Sequence, residues 1–426
     1  MNTASLKTLS VACVALRLVT LAGCGGDADA PAPSDATTPD AERDSGGGAS
    51  APTDTDADAD AEPADASVAD VVGDRRIAWD SGADAGAPVV LDMWTRRNVY
   101  CARVQRPTGT TVECWGSNRN GELGRGEISD LGTTFEPHPI QSPDAPHFTA
   151  VRNDGFLRGV VCGVTDTKQL KCWGTSFGTG IPVKTSVPDA PLLEDVEDVD
   201  VSQNHACARL SDGRVACWGG NGSGQLGLGV TDFVNRPSPT AIPSFTADQV
   251  SCGPTSTCAV KDGEVWCWGA RNLLGNGTGA GSVPTPTRVN GLTGIKKVLA
   301  GTVTFALAED KTLWFWGVLG STISYTPTRI LDPKPDAPTN VLADVEDFSV
   351  GCARLTSGKV RCLPSPVSGL YRFDEVPRVE NTVHLDGSCA LSSQGALRCW
   401  GDNSAGQLGV SPFMLPSTTT SLAIRF

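Results

Sequence analysis

The chain has 426 residues and a formal net charge of −14, with 39% hydrophobic residues, 6% aromatic residues and 15 cysteines. The charge is uneven: residues 25–88 hold 16 Asp and Glu against Arg43, Arg75 and Arg76, and the region that follows is close to neutral. A near-neutral folded region lacks the positive footprint that DNA or RNA binding needs, so nucleic acid is excluded as a partner.

Residues 1–24 read as an export signal. Lys7 supplies a charged start, the run from Leu9 to Leu21 is mostly apolar, and Leu21-Ala22-Gly23-Cys24 closes it. That tetrapeptide resembles the bacterial lipobox, which makes Cys24 the expected lipidated N-terminus of the mature protein. Arg17 inside the apolar run departs from the pattern. Lipidation would tie the protein to a membrane through the lipid alone, as an outer-membrane or cell-surface protein of the bacterial envelope. Residues 25–88 are dominated by Asp, Ala, Pro, Ser, Thr and Gly, with Trp79 as their one aromatic residue. Such a segment cannot bury enough apolar surface to offset its ordering entropy, and reads as a disordered acidic linker.

From residue 89 to 426 the chain repeats itself. Trp115, Trp173, Trp218, Trp268, Trp316, Leu363 and Trp400 occupy equivalent positions, with gaps of 58, 45, 50, 48, 47 and 37 residues. Seven units of that length, built from short strands and turns, predict an all-β propeller rather than a single-core globule. Val89–Leu91 and Leu422–Phe426 are short and apolar, and are expected to close the ring by sharing one blade. The sixth unit is short, and its blade is expected to be incomplete.

Twelve cysteines of this region form couples: Cys101/Cys114, Cys162/Cys172, Cys207/Cys217, Cys258/Cys267, Cys352/Cys362 and Cys389/Cys399. Around the turn Ser211-Asp212-Gly213, outward counting pairs Arg209 with Val215, Ala208 with Ala216 and Cys207 with Cys217. The turn Asp262-Gly263 is one residue shorter, and so is the spacing of its couple: Cys258 still faces Cys267. In the fifth unit Phe305 and Phe315 stand at the two cysteine positions. Six disulfides within repeats are therefore expected, in an oxidising compartment. Cys252 is left over as a buried free thiol. No couple has metal-ligand spacing, and no metal site is expected.

Glycine-rich loops follow three of the tryptophans, at Trp115–Gly126, Trp218–Gly229 and Trp400–Gly409. They lack the following helix and the Lys-Ser/Thr pair of a nucleotide site, so they read as structural turns. Leu123, Leu226 and Leu408 are expected to pack between units. The run Trp218, Gly219, Asn221, Gly224, Gln225, Leu226, Gly227, with Trp400, Gly401, Asn403, Gly406, Gln407, Leu408, Gly409, resembles the regulator of chromosome condensation repeat. The resemblance spans about residues 89–426 and implies a seven-bladed propeller. Its motif is sharp in units 1, 3 and 7, weaker in 2 and 4, and lacks the loop in 5 and 6.

Chemistry is sparse. His138, His147, His205 and His384 are the four histidines, and no nucleophile, metalloprotease or cofactor motif accompanies them. Arg103, Arg209 and Arg354 recur in Cys-Ala-Arg but fall in units that point in different radial directions. The sequence thus predicts no catalytic residues and no cofactor. It predicts a monomeric, non-catalytic scaffold that binds an unknown protein or glycan at the cell surface, with the Pro-rich stretch Ile128–Pro146 as a contact candidate. The resemblance implies an alternative, guanine-nucleotide exchange on a small GTPase. A propeller enzyme such as a glycosidase or lyase is the third reading.

Overall fold

The computed structural model describes residues 87–426, apart from 97, 129–132, 154–158, 175–186, 189–190, 278, 280, 320–321, 333–340, 364–373 and 416. Cys24 and all but the last two residues of the expected linker therefore lie outside the described residues. Six four-stranded antiparallel sheets and one three-stranded sheet follow one another along the chain. Each is a meander, with every strand bonded to its neighbour in sequence, and together they form a seven-bladed propeller.

The cysteine couples set the register. Cys207 faces Cys217 between the second and third strands of sheet 3 (His205–Leu210 and Arg214–Gly219), with Ala208 opposite Ala216 and Arg209 opposite Val215. Cys258 faces Cys267 across the shorter turn, and Phe305 faces Phe315 in sheet 5. All six couples are bonded, with Cα atoms 4.0–4.1 Å apart. That separation belongs to a non-hydrogen-bonded antiparallel pair, where side chains approach most closely.

The core is divided into seven apolar clusters, each shared by two consecutive sheets. Side-chain alternation along the third strand explains the recurring Cys-Trp dipeptide. Cys217 points forward into the cluster that holds Trp268 of the next sheet, while Trp218 points back into the cluster that holds Cys162 and Cys172. Cys101, Cys114 and Trp173 share a cluster in the same way, as do Cys258, Cys267 and Trp316. A disulfide on one blade is thus the floor on which the next blade's indole rests. Gly116, Gly219, Gly269, Gly317 and Gly401, each following a tryptophan, sit at a register shift in the pairing of the third and fourth strands. At Gly269 (φ 107°) a Cβ would stand 2.5 Å from the Thr255 carbonyl oxygen, so only glycine fits.

Ring closure differs from the expectation. Val89–Arg96 is the first strand of sheet 1 and Ser417–Ala423 the fourth strand of sheet 7, and no sheet combines the two ends. Each terminal strand already has a hairpin partner in its own repeat, so joining the ends by a ladder is unnecessary. The seventh cluster closes the ring instead, packing Val90, Met93, Tyr100 and Trp115 against Cys389, Leu391, Cys399 and Leu408. Polar bonds accompany it: Thr95 N–H donates to Asp386 Oδ2 at 2.8 Å, and His384 Nδ1 lies 3.7 Å from Asp92 Oδ1. Sheet 6 is also more complete than its sequence suggests. It has four strands, the last being only Asp374–Glu375, which pairs with Cys362 and Arg361. Sheet 2 is the three-stranded one among the described residues.

Candidate recognition face

Strand direction alternates within a meander, so loops joining the third strand to the fourth emerge on one face of every blade. The glycine-rich loops are these connections. In unit 3, Asn221 holds the loop from within: its Oδ1 accepts from Leu226 N–H at 3.2 Å and its Nδ2 donates to Val230 O at 2.9 Å. Asn118 does the same with Leu123 N–H and Glu127 O, and Asn403 with Leu408 N–H and Val410 O. The residue before the leucine adds a second tie, since Gln225 Oε1 accepts from Ser223 N–H and Gln407 Oε1 from Ala405 N–H. These side chains satisfy backbone groups of the loop itself.

The same loop is a socket for the next blade. Trp268 Nε1 donates to Gln225 O at 2.8 Å, Trp173 Nε1 to Glu122 O at 2.8 Å, and Trp115 Nε1 to Gln407 O at 2.9 Å across the ring closure. Unit 4, whose sequence motif is weak, contributes equally: Trp316 Nε1 donates to Leu273 O at 2.9 Å. Gly227 (φ 74°) sits against the indole, where a Cβ would lie 2.9 Å from Trp268 Nε1. Leu123, Leu226 and Leu408 pack between sheets and are fully buried.

Beyond the socket, the loops turn outward. Phe233 is 96% exposed and Phe413 95%, at matching places between the glycine-rich loop and the fourth strand of their blades, and Val234 and Met414 beside them are also exposed. Much of the contact candidate Ile128–Pro146 is strand: Thr133–Pro139 is the fourth strand of sheet 1, paired through Gly116–Thr134 and Cys114–His138. Ile128, at its start, is exposed on the face just described.

The axis of the ring is lined by the first strand of each sheet and is closed by its own bonds. Arg96, from sheet 1, reaches past sheet 2 to bond Val201 O at 3.0 Å and Asp200 Oδ1 at 3.0 Å in sheet 3. Asp200 Oδ2 also accepts from Ser251 Oγ and Cys252 N–H of sheet 4. Lys297 bonds Asp347 and Phe348 O of the following sheet. The Arg96 guanidinium, though partly buried, is held charged by Asp200, so the pair is a strut rather than a reactive group.

The expected site residues fall apart as chemistry. Arg103, Arg209 and Arg354 lie in sheets 1, 3 and 6 and do not converge. His138 is exposed on an edge strand, and His147 pairs with Asp166 at 2.9 Å. His205 is fully buried, and desolvation lowers its pKa to about 4. Its Nε2 lies 2.7 Å from Thr257 Oγ1 in the next sheet. Cys252 is free, and burial raises its thiol pKa well above the ordinary value. One cluster was not foreseen: a ring nitrogen of His205 and the sulfurs of Cys207 and Cys252 lie within 4.8 Å of one another. Sequence spacing could not reveal it, because His205 and Cys252 belong to different repeats.

Comparison with known proteins agrees with the repeat reading. Models of the regulator of chromosome condensation repeat match residues 212–260, and 196–225 with 386–407. The E3 ubiquitin-protein ligase HERC2 of Mus musculus is 28% identical over 248 residues, 53% of this chain but 5% of that protein. The ultraviolet-B receptor UVR8 of Arabidopsis thaliana is 25% identical over 331 residues, 71% of this chain and 63% of that one. The chain thus spans less than two thirds of either relative. Among solved structures, Prp20p from Saccharomyces cerevisiae superimposes with a TM-score of 0.61 at 17% identity, covering 79% of this chain and 88% of its own. With seven consecutive sheets and these matches, the protein is a seven-bladed propeller whose residues 196–260 and 386–407 match regulator of chromosome condensation repeats.

Proposed function

We propose that the protein is a lipid-anchored, non-catalytic recognition module of the bacterial cell envelope, binding a protein or glycan through the face that carries the glycine-rich loops. The observation that carries this reading is the pair Phe233 and Phe413, which stand almost fully in solvent on loops whose bases are pinned by Asn221 and Asn403. Large apolar side chains held out on rigid loops are what a recognition surface requires, because little ordering entropy is lost on binding. The export reading of residues 1–24 and the six cysteine couples support a location outside the reducing cytosol.

The repeat family supports a second reading. Prp20p is described by its binding to Gsp1p and histones, and a protein partner of comparable kind would suit a propeller face. Exchange on a small GTPase would need a cytosolic partner, whereas the sequence points outward.

Two experiments test the proposal. Processing at Cys24 should be blocked by globomycin and should incorporate labelled palmitate. Crosslinking on intact cells should capture a surface partner with the wild-type chain and lose it with the Phe233→Ala/Phe413→Ala double variant. Cytosolic fractionation with twelve free thiols at the couples would overturn the envelope reading, and undiminished capture by the double variant would overturn the choice of face.

A further inference from the structure

The unforeseen cluster lies at the junction of sheets 3 and 4. Cys252 ends the first strand of sheet 4 (Gln249–Cys252) and is 2% exposed, while His205 and Cys207, on the second strand of sheet 3, are both 0% exposed. The hydrogen bonds around His205 decide which ring nitrogen is free. Thr257 Oγ1 has one proton and donates it to Gln225 O at 2.8 Å. In its 2.7 Å contact with His205 Nε2 the hydroxyl must then accept, so Nε2 carries the ring proton. Nδ1 is left with a lone pair. Ser202 Oγ is 3.5 Å from Nδ1, but its proton goes to Gly253 O at 2.6 Å. The Cys252 sulfur lies within 4.8 Å of a His205 ring nitrogen and also accepts from Cys207 N–H.

We propose that Cys252 Sγ and His205 Nδ1 form a binding site for a soft monovalent d10 cation of the copper(I) or silver(I) class, with the Cys207 sulfur as a weak third neighbour. Thiolate and imidazole are the ligand types such ions prefer. Charge favours a monovalent ion. Binding exchanges the thiol proton for the cation: a sulfur–metal bond forms, the sulfur–hydrogen bond breaks and the proton leaves to solvent, so the pair stays neutral. A divalent ion would leave a positive charge in a buried site. Asp200, beside Cys252, is already balanced by Arg96 and bonded to Cys252 N–H and Ser251 Oγ. Zinc would want four strong ligands, and Cys207 is committed to Cys217.

The test uses the full oxidised chain with Cys13→Ser and Cys24→Ser, which leaves Cys252 as its single thiol, and silver(I) alone as a redox-inert probe. Native mass spectrometry should find a single silver ion per chain, with release of a single proton in weakly buffered solution. Cys252→Ala should abolish both signals. Tryptophan emission checks its fold, and Cys252→Ser serves if the alanine variant is not native. His205→Gln should weaken the affinity by about tenfold or more while leaving the thiol count unchanged. Silver bound equally by the Cys252 variants, no silver bound by the folded parent, or binding that appears only after dithiol reduction would each overturn the proposal.

Discussion

Trp115, Trp173, Trp268 and Trp316 each hold two blades together by two means at once, apolar burial and an indole hydrogen bond. Trp268 is fully buried against the Cys207–Cys217 couple and donates its N–H to Gln225 O. Trp218 is equally buried, but its Nε1 has no partner among the described residues. Replacing each by Phe keeps most of the apolar contact and removes the donor. Trp268→Phe should cost about 1–3 kcal/mol in chemical denaturation, and Trp218→Phe clearly less. Equal losses would show that the indole hydrogen bond carries no weight. Gly227 makes the complementary case. Alanine there meets both a positive φ and the Trp268 ring, whereas alanine at Gly291 (φ 82°) meets nothing within 4 Å. Gly291→Ala should cost about 1 kcal/mol in backbone strain, and Gly227→Ala should exceed it through displacement of the indole. The tryptophan and glycine positions were legible in the sequence as a pattern. Their joint role was not, because the donor and the accepting loop sit one repeat apart.

Within a single hairpin, spacing was enough. A turn shortened by one residue moved the second cysteine by one, and the pairing of Cys258 with Cys267 was kept. Phe305 and Phe315 occupy the equivalent register of the fifth unit and face each other directly. The double variant Phe305→Cys/Phe315→Cys should therefore form a seventh disulfide, read as a loss of about 2 Da on oxidation with no added free thiol. Two titratable thiols beyond those of the wild-type protein would refute the register argument. Conversely, replacing Cys258 and Cys267 by Ala should cost about 2–3 kcal/mol, the value for closing a short loop, measured as a lowered denaturation midpoint. Unit 6 shows where spacing fails: its fourth strand, Asp374–Glu375, is too short to leave a period-two signature.

At the scale of the whole ring, stability depends on the one interface the chain cannot make locally. Sheets 7 and 1 are joined by a cluster of side chains, by Trp115 Nε1 to Gln407 O, and by Asp386, which accepts from Thr95 N–H. Asp386→Ala leaves that backbone donor without its partner and should cost about 1–3 kcal/mol. Hydrogen exchange should then quicken first in Val89–Arg96 and Thr382–Asp386, the strands on either side of the junction. Uniform quickening around the ring would mean that closure is no weaker than any other interface. The expectation of a shared closing blade was mistaken because composition marks a strand as apolar and short without saying whether a partner or a packed face will cover it.

The sequence by itself determined the local order: the seven-fold period, the hairpin register and the turn chemistry of the glycine-rich loops. Each of these depends on residues close together in the chain, where side-chain alternation and turn length leave a direct imprint. Tertiary structure alone decided how the ring closes, which loop receives which indole, and that His205 meets Cys252 beside a disulfide. Those contacts join residues one repeat or most of the chain apart, and the geometry that brings them together is set by how whole blades pack.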